Sequence, residues 1–179
     1  MLEPLSAHFF DRDTRSVARD LLGCVLVREE VQVRILEAEA YFPGDSANHA
    51  ARGRTPRNAP MWGPPGHLYV YLCYGIHTLL NLVTEAEGRP AAVLIRAGEV
   101  VTGHDTVRSR RGGRLDLIGP GKVGQALGLD LGWSGRPLGQ GLRVVRGPAP
   151  PEVRTAPRVG IDAADPADVA ACWRYIAAG

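Results

Sequence analysis

The stretch Val31-Gln32-Val33-Arg34-Ile35-Leu36-Glu37-Ala38-Glu39-Ala40-Tyr41 decides how this sequence folds. Its apolar and polar residues alternate with a period of two, which is typical of a β-strand. A second β-like run, Cys24–Arg28, comes just before it, and Glu29-Glu30 joins the two. We therefore predict a β-hairpin around this glutamate pair.

Within this strand, the period of two places Glu37, Glu39 and Tyr41 on one face. The opposite face then carries Leu36, Ala38 and Ala40. Three interpretations of the polar face are open. It is a solvent-exposed face, or it presents a carboxylate that activates water, or its two carboxylates hold a divalent cation, as in many nucleases.

Sheet dominates the rest of the chain as well. Further strands are predicted at His67–Tyr74, Ile76–Thr84, Ala91–Arg96, Leu142–Val145, Arg158–Ile161 and Trp173–Ile176. Helices are predicted after an N-cap at Asp13 or Thr14, over Glu99–Arg111, and after the turn Gly119-Pro120-Gly121-Lys122. Residues 42–66 are predicted to form one loop, and a loop this long is usually functional. The expected fold is one α+β domain over residues 1–179.

Composition excludes several classes of protein. The chain has 179 residues, 45% hydrophobic and 22% charged, which are ordinary values for a soluble globular protein. No apolar run approaches the roughly 20 residues of a membrane span, and no basic segment followed by an apolar one opens the sequence. Three cysteines without a close pair do not form a disulfide framework. We expect a cytoplasmic protein, associated with the nucleoid if it is bacterial.

The basic residues are unevenly distributed. Residues 49–122 contain ten basic and five acidic side chains, a net charge of +5, whereas residues 1–48 have a net charge of −4. Only Lys122 is a lysine, and the other twenty basic residues are arginines. Guanidinium groups bind phosphate and stack on bases, which favours a nucleic-acid partner. A genome rich in G and C would produce the same preference for arginine.

Three of the five tyrosines lie within six residues, at Tyr69, Tyr71 and Tyr74. Such a run belongs to a sheet core, to a platform on which bases stack, or to a wedge that enters a duplex. The turn at Gly119–Lys122 is either an anion site or a simple turn. The five histidines lack metal-ligand spacing, so we expect no metal site.

Motifs distributed over most of the chain resemble the alkyladenine (3-methyladenine) DNA glycosylase family. They are Glu37-Ala38-Glu39-Ala40-Tyr41, His49, Arg54-Thr55-Pro56-Arg57-Asn58, Leu68-Tyr69-Val70-Tyr71, Tyr74-Gly75, Asn81, Leu94-Ile95-Arg96-Ala97, Gly119-Pro120-Gly121-Lys122 and Gln125-Ala126-Leu127. The likeness runs from about Phe10 to Tyr175. The order of the motifs agrees with the family, and this makes the resemblance specific.

The resemblance implies a role for individual residues. Glu39 matches the catalytic glutamate, Arg96 the arginine that holds the attacking water, and Val159 a main-chain contact to that water. Tyr74 matches the tyrosine that intercalates into the duplex. The remaining matches are the residues that enclose the extruded base, Tyr41, His49, Tyr71 and Asn81. We expect Arg54, Arg57 and Lys122 to contact the DNA backbone.

The implied fold is a curved, barrel-like antiparallel sheet with peripheral helices. The implied activity is excision of alkylated or deaminated purines from double-stranded DNA by a monomer that needs no cofactor. Glycosylases that also cut the strand generally use an amine nucleophile, and the sequence offers only Lys122 and the terminal amine. We therefore expect excision without strand cleavage. The sequence departs from the family at His77, where other members often have an aromatic or apolar residue beside the wedge.

Overall fold

A curled antiparallel sheet organises residues 3–179, the part of the chain that the computed structural model describes. Its strands are β1 Val25–Arg28, β2 Val31–Tyr41, β3 Leu68–Cys73, β4 His77–Val83, β5 Ala92–Thr102, β6 Leu117–Ile118, β7 Arg143–Val145, β8 Glu152–Ala156 and β9 Arg174–Ala178. The main path runs β3-β4-β5-β2-β1-β7, with β6 on β5 and β9 bridging β2 to β8. The α+β class and the barrel-like antiparallel sheet expected from the sequence are confirmed.

Short helices surround this sheet. They are α1 Ala7–Phe10, α2 Thr14–Asp20, α3 His104–Arg110, α4 Pro120–Ala126 and α5 Pro166–Ala170. Asp13 caps α2 by accepting the Ser16 N–H, as the sequence predicted. Helix α4 packs so closely on β4 that a Cβ atom at Gly124 would lie only 2.1 Å from the Thr78 carbonyl oxygen. No helix within residues 3–179 is long and apolar enough to span a membrane.

An irregularity in β2 corrects the predicted arrangement of its faces. The pairing of β2 with β5 shifts register between Ile35 and Glu37 and again between Glu37 and Ala38. Because a bulge adds a residue, the alternation of faces changes phase there. Ile35 and Ala38 are both fully buried, while Leu36 lies only partly buried between them. The assignment of Leu36 to the face of Ala38 and Ala40 was therefore wrong.

Two other predicted elements were also wrong. The helix predicted over Glu99–Arg111 begins only at His104, because β5 continues through Thr102 in its pairing with β2. The strand predicted at Arg158–Ile161 does not form, and Glu152–Ala156 pairs with β9 instead. The Arg158 side chain and the Val159 N–H do not join a strand but form hydrogen bonds with the side chains of Asp45 and Glu39.

Candidate active site

Glu39 is a fully buried carboxylate in the middle of the sheet. Its Oε2 atom accepts a hydrogen bond of 2.7 Å from the Tyr41 hydroxyl, two residues further along the same face of β2. Its Oε1 atom accepts the main-chain N–H of Val159 at 3.0 Å. These two hydrogen bonds fix the orientation of the carboxylate. Burial and the charge of Glu39 raise the pKa of the Tyr41 hydroxyl well above its ordinary value, which keeps Tyr41 a donor.

Arg96 on β5 is the cation that faces Glu39. Its Nε atom lies 3.6 Å from Glu39 Oε1 and 3.9 Å from Glu37 Oε2. Glu37 is also 3.3 Å from the Arg174 Nη1 atom on β9. The two carboxylates that the sequence placed on one face therefore have different surroundings, since Glu37 is shared by two arginines and Glu39 is held by neutral donors beside one.

A cavity of about 1100 Å³ opens beside these groups. Its lining includes every residue that the sequence assigned to the base pocket, namely Tyr41, His49, Tyr71 and Asn81. Arg96 and Val159 line it as well. The structure therefore brings residues from distant parts of the chain, between positions 41 and 159, together in one open, aromatic site. This site is large enough for a nucleotide.

The aromatic wall of the cavity is built on β3. The Tyr69 and Tyr71 rings stack with centroids 5.3 Å apart, and the His49 ring meets Tyr71 edge-on at 4.5 Å. His49 Nδ1 lies 2.9 Å from the Tyr69 hydroxyl, which positions the imidazole. Burial of the ring and the charge of Arg57 lower the pKa of His49. The imidazole is accordingly neutral at neutral pH.

Asn81 stands beside this wall with a fixed orientation. It pairs with Tyr69 across β3 and β4, and its Nδ2 group donates to the Tyr69 carbonyl at 3.1 Å. The residue is buried within the cavity wall. Its amide is therefore a rigid part of the cavity wall.

An exposed hairpin tip projects at the mouth of the cavity. Tyr74 is 88% exposed and has a φ of +53°, and Gly75 follows with a φ of +67°. A non-glycine residue with positive φ is uncommon and costs energy. Ile76, the next residue, is 75% exposed. The tip thus presents a strained tyrosine to solvent, as expected for a residue that acts on a partner rather than on the protein's own core.

Basic side chains surround the cavity. Its lining contains Arg52, Arg57, Arg96, Arg111, Arg114 and Lys122. Arg57 donates to the Leu72 carbonyl and lies over the Tyr71 ring, and Lys122 pairs with Asp116. Arg54 is exposed on the neighbouring loop and does not line the cavity.

The sequence analysis did not predict one ion pair at the site. Arg158 makes a bidentate ion pair with Asp45, with N–O distances of 2.5 and 2.8 Å. Burial opposes the charge of Arg158, but its hydrogen bonds to Asp45 outweigh this effect and raise its pKa. Nothing in the local pattern around either residue indicates a pairing across 113 positions.

The nuclease interpretation finds no support in the arrangement of carboxylates. Asp45 faces Arg158, and Glu37 faces two arginines. Within residues 3–179, no three His, Cys, Asp or Glu side chains are grouped so that they could hold a metal ion.

The curled sheet, the aromatic cavity and the buried carboxylate beside it fit one class of enzyme, the DNA glycosylases. The sequence profile of the methylpurine-DNA glycosylase family matches residues 8–179. The chain belongs to this family, whose members hydrolyse N-glycosidic bonds in base excision repair. The resemblance stated from the sequence motifs is thereby confirmed.

Individual relatives agree with the family assignment. The chain is 51% identical over 177 residues to the DNA-3-methyladenine glycosylase of Arabidopsis thaliana, covering 95% of this chain and 70% of that protein. It is 54% identical over 180 residues to a protein of Nitrosococcus oceani whose name assigns 3-methyladenine DNA glycosylase activity provisionally, covering 97% of this chain and 90% of that protein.

Proposed function

We propose that the protein rotates an alkylated or deaminated purine out of double-stranded DNA into the cavity and hydrolyses its N-glycosidic bond with water activated by Glu39. The substrates are bases of the 3-methyladenine, 7-methylguanine and hypoxanthine class. The observation that carries the proposal is the placement of a buried carboxylate, held by Tyr41 and Val159, beside a cavity lined by aromatic residues. Because its substrate is DNA, we propose that the enzyme works in the cellular compartment that contains the DNA.

Rotation of a nucleotide out of the stack costs a few kcal/mol. Tyr74 offsets part of this cost by filling the gap that the base leaves, because it projects from the hairpin tip beside the cavity. Inside the cavity, the rings of Tyr41 and Tyr71 contact the base. A base made cationic by alkylation gains about 0.5–2 kcal/mol from such aromatic contacts. His49 and Asn81 contribute hydrogen-bonding groups of fixed orientation.

Glu39 takes the proton from the attacking water and stabilises the positive charge that develops on the sugar. The Arg96 Nε atom lies 3.6 Å from the carboxylate, which is beyond good hydrogen-bonding distance and suits a shared water molecule. A cationic base is already a good leaving group. The protein's main task is therefore to place and activate the water.

We further propose that the enzyme does not cleave the strand. Strand cleavage by a glycosylase needs an amine that attacks the sugar carbon. Lys122, the only lysine in the sequence, is 2.5 Å from the Asp116 carboxylate and on the rim of the cavity. This ion pair, or a contact with a DNA phosphate in its place, occupies the amine.

The decisive experiment uses duplexes with a single 3-methyladenine, 7-methylguanine, hypoxanthine or ethenoadenine. Treatment with alkali after incubation cuts the DNA wherever a base has been released. We expect cuts at the lesion only after alkali, with full activity in EDTA and no borohydride-trapped adduct. An enzyme that EDTA inactivates would be a metal-dependent nuclease, and a protein that binds these duplexes without releasing any base would be a binding module.

A further inference from the structure

The ion pair between Asp45 and Arg158 is the most deeply buried charged contact near the cavity. Both side chains are completely shielded from solvent. The Arg158 Cζ atom lies 4.7 Å from the centroid of the Tyr41 ring and 4.9 Å from that of the Trp173 ring, so the guanidinium is in contact with both. Arg158 also donates to the Ala40 carbonyl at 3.0 Å.

These contacts join three parts of the chain that meet at Glu39. Arg158 holds the main chain of β2 at Ala40, one residue from Glu39. Asp45 belongs to the loop that follows β2 and leads to the base pocket. Next to Asp45, the Ser46 N–H and hydroxyl both donate to Asp168, which ties the same loop to α5 near the protein surface.

The position of Val159 depends on this arrangement. Val159 is 46% exposed and belongs to no strand, so few contacts of its own fix its main chain. Its N–H nevertheless donates to Glu39 at 3.0 Å. The adjacent residue, Arg158, is immobilised from several directions. The side chain of residue 158 therefore controls where the N–H of residue 159 points.

We propose that Asp45 and Arg158 form a clamp that positions the Val159 main chain and the Tyr41 ring against Glu39. The inference rests on the proposed function and extends it by two positioning residues that do not touch the substrate. Arg158 is not part of the cavity lining, whereas Tyr41 is, so the guanidinium supports the tyrosine from behind.

Energetics favour a positioning role over a purely stabilising one. A buried ion pair recovers little more than the cost of removing two charges from water, and apolar residues of similar volume often stabilise a protein as well. A bidentate guanidinium–carboxylate pair does, however, fix geometry in a way that apolar side chains cannot. Misplacement of a catalytic group by about 1 Å can reduce a rate about 100-fold.

The test uses Asp45→Asn, which preserves the shape of the side chain and removes its charge. We expect excision under single-turnover conditions to slow about 10- to 100-fold, while the Kd for a lesion duplex changes less than about threefold. Asp168→Ala, which loosens the tether at the surface and leaves the buried pair intact, should give a smaller change in the same direction.

Leu26→Ala is the matched control, because Leu26 is fully buried on β1 and should lower the melting temperature without touching the clamp. Hydrogen exchange of the Val159 amide gives a readout that does not need activity. It should accelerate about tenfold or more in Asp45→Asn and stay unchanged in Leu26→Ala. If the wild type releases no base, the proposed function fails, and the exchange experiment still judges the clamp. The clamp would be overturned if the Val159 amide of Asp45→Asn exchanged at the wild-type rate. It would also be overturned if the excision rate of Asp45→Asn fell no more than that of Leu26→Ala.

Discussion

At the scale of single residues, the hydrogen bonds of Glu39 make it possible to remove its negative charge without removing its contacts. The carboxylate accepts one hydrogen bond from Tyr41 and one from the Val159 main chain, and it faces Arg96. A glutamine has the same shape. Its carbonyl oxygen can accept the Val159 N–H, and its amide can donate to the Tyr41 oxygen. Substitution by glutamine therefore removes the proposed general base and little else.

We expect Glu39→Gln to lower the single-turnover excision rate by about 10²–10⁴-fold, the usual contribution of a general base. The melting temperature and the Kd for a lesion duplex should stay close to wild type, because the hydrogen bonds are preserved. Gel-based excision assays and fluorescence anisotropy measure the two quantities. Excision at more than about a tenth of the wild-type rate would show that another group activates the water.

At the scale of elements, the β3–β4 hairpin carries a conflict between stability and function. Its tip contains Tyr74 and Gly75, both with positive φ, as in the turns that favour Asn-Gly. Asparagine tolerates this conformation better than tyrosine. The sequence thus keeps a residue that the turn itself disfavours, which agrees with the proposed role of the exposed ring as a wedge.

We expect Tyr74→Asn to raise stability by about 0.5–1 kcal/mol, since it relieves the left-handed strain. The melting temperature should rise by about 1–4 °C in a domain of this size. Affinity for a lesion duplex should fall about tenfold or more with the loss of one stacking side chain, while affinity for undamaged DNA stays constant. The control is Tyr74→Phe, which keeps the ring and should behave as wild type. Equal losses on damaged and undamaged DNA would contradict the wedge.

The contact between α4 and β4 is a second element-scale feature with a measurable consequence. A Cβ atom at Gly124 would lie 2.1 Å from the Thr78 carbonyl oxygen and 3.1 Å from its carbon, so the helix and the strand must separate to admit it. We expect Gly124→Ala to destabilise the protein by about 1–3 kcal/mol despite the better helix propensity of alanine.

Thermal unfolding of Gly124→Ala measures this loss. Gln125→Ala, at the exposed neighbouring position of the same helix, is the control and should leave the melting temperature nearly unchanged. A melting temperature for Gly124→Ala at or above that of the wild type would show that the helix moves freely on the sheet.

The elements also show how far the sequence could lead. Alternation in residues 31–41 predicted β2 and the shared face of Glu37, Glu39 and Tyr41, since period 2 is local information. The bulge near Glu37 could not be predicted, because it arises from pairing with β5. The same holds for the continuation of β5 through Thr102. The clamp between Asp45 and Arg158 joins two loops, and no periodic pattern reports such a contact. Motif resemblance supplied the site residues that periodicity could not assign.

At the scale of the whole molecule, the net charge of +2 conceals a segregated distribution. All basic residues that line the cavity come from residues 49–122, the segment with a net charge of +5. Among these cations, Arg96 faces both glutamates of β2. The protein therefore presents a positive surface around buried and half-buried carboxylates, which suits the proposed binding of phosphates outside the cavity and of a developing cation within it.

This distribution predicts which arginines contribute to the salt dependence of DNA binding. Removal of one phosphate contact should lower the slope of log K against log salt by about 0.9. We expect this change for Arg54→Ala, equally on damaged and undamaged duplexes. Arg143→Ala is the matched control, because Arg143 is exposed on β7 at the far edge of the sheet from β3. An unchanged slope for Arg54→Ala would remove Arg54 from the DNA contacts.

The hydrogen bond between Val159 and Glu39 spans 120 positions of the chain, and this has a consequence for biosynthesis. A chain emerging from the ribosome carries Glu39, Arg96 and the Tyr74 hairpin long before residue 159 has been made. Strand β2 also lacks its partner β9 until residues 174–178 are complete. Such a nascent chain would already display basic residues and an aromatic tip without a finished catalytic centre. The surroundings of Glu39 are therefore complete only after residues 159 and 174–178 have been added to the chain.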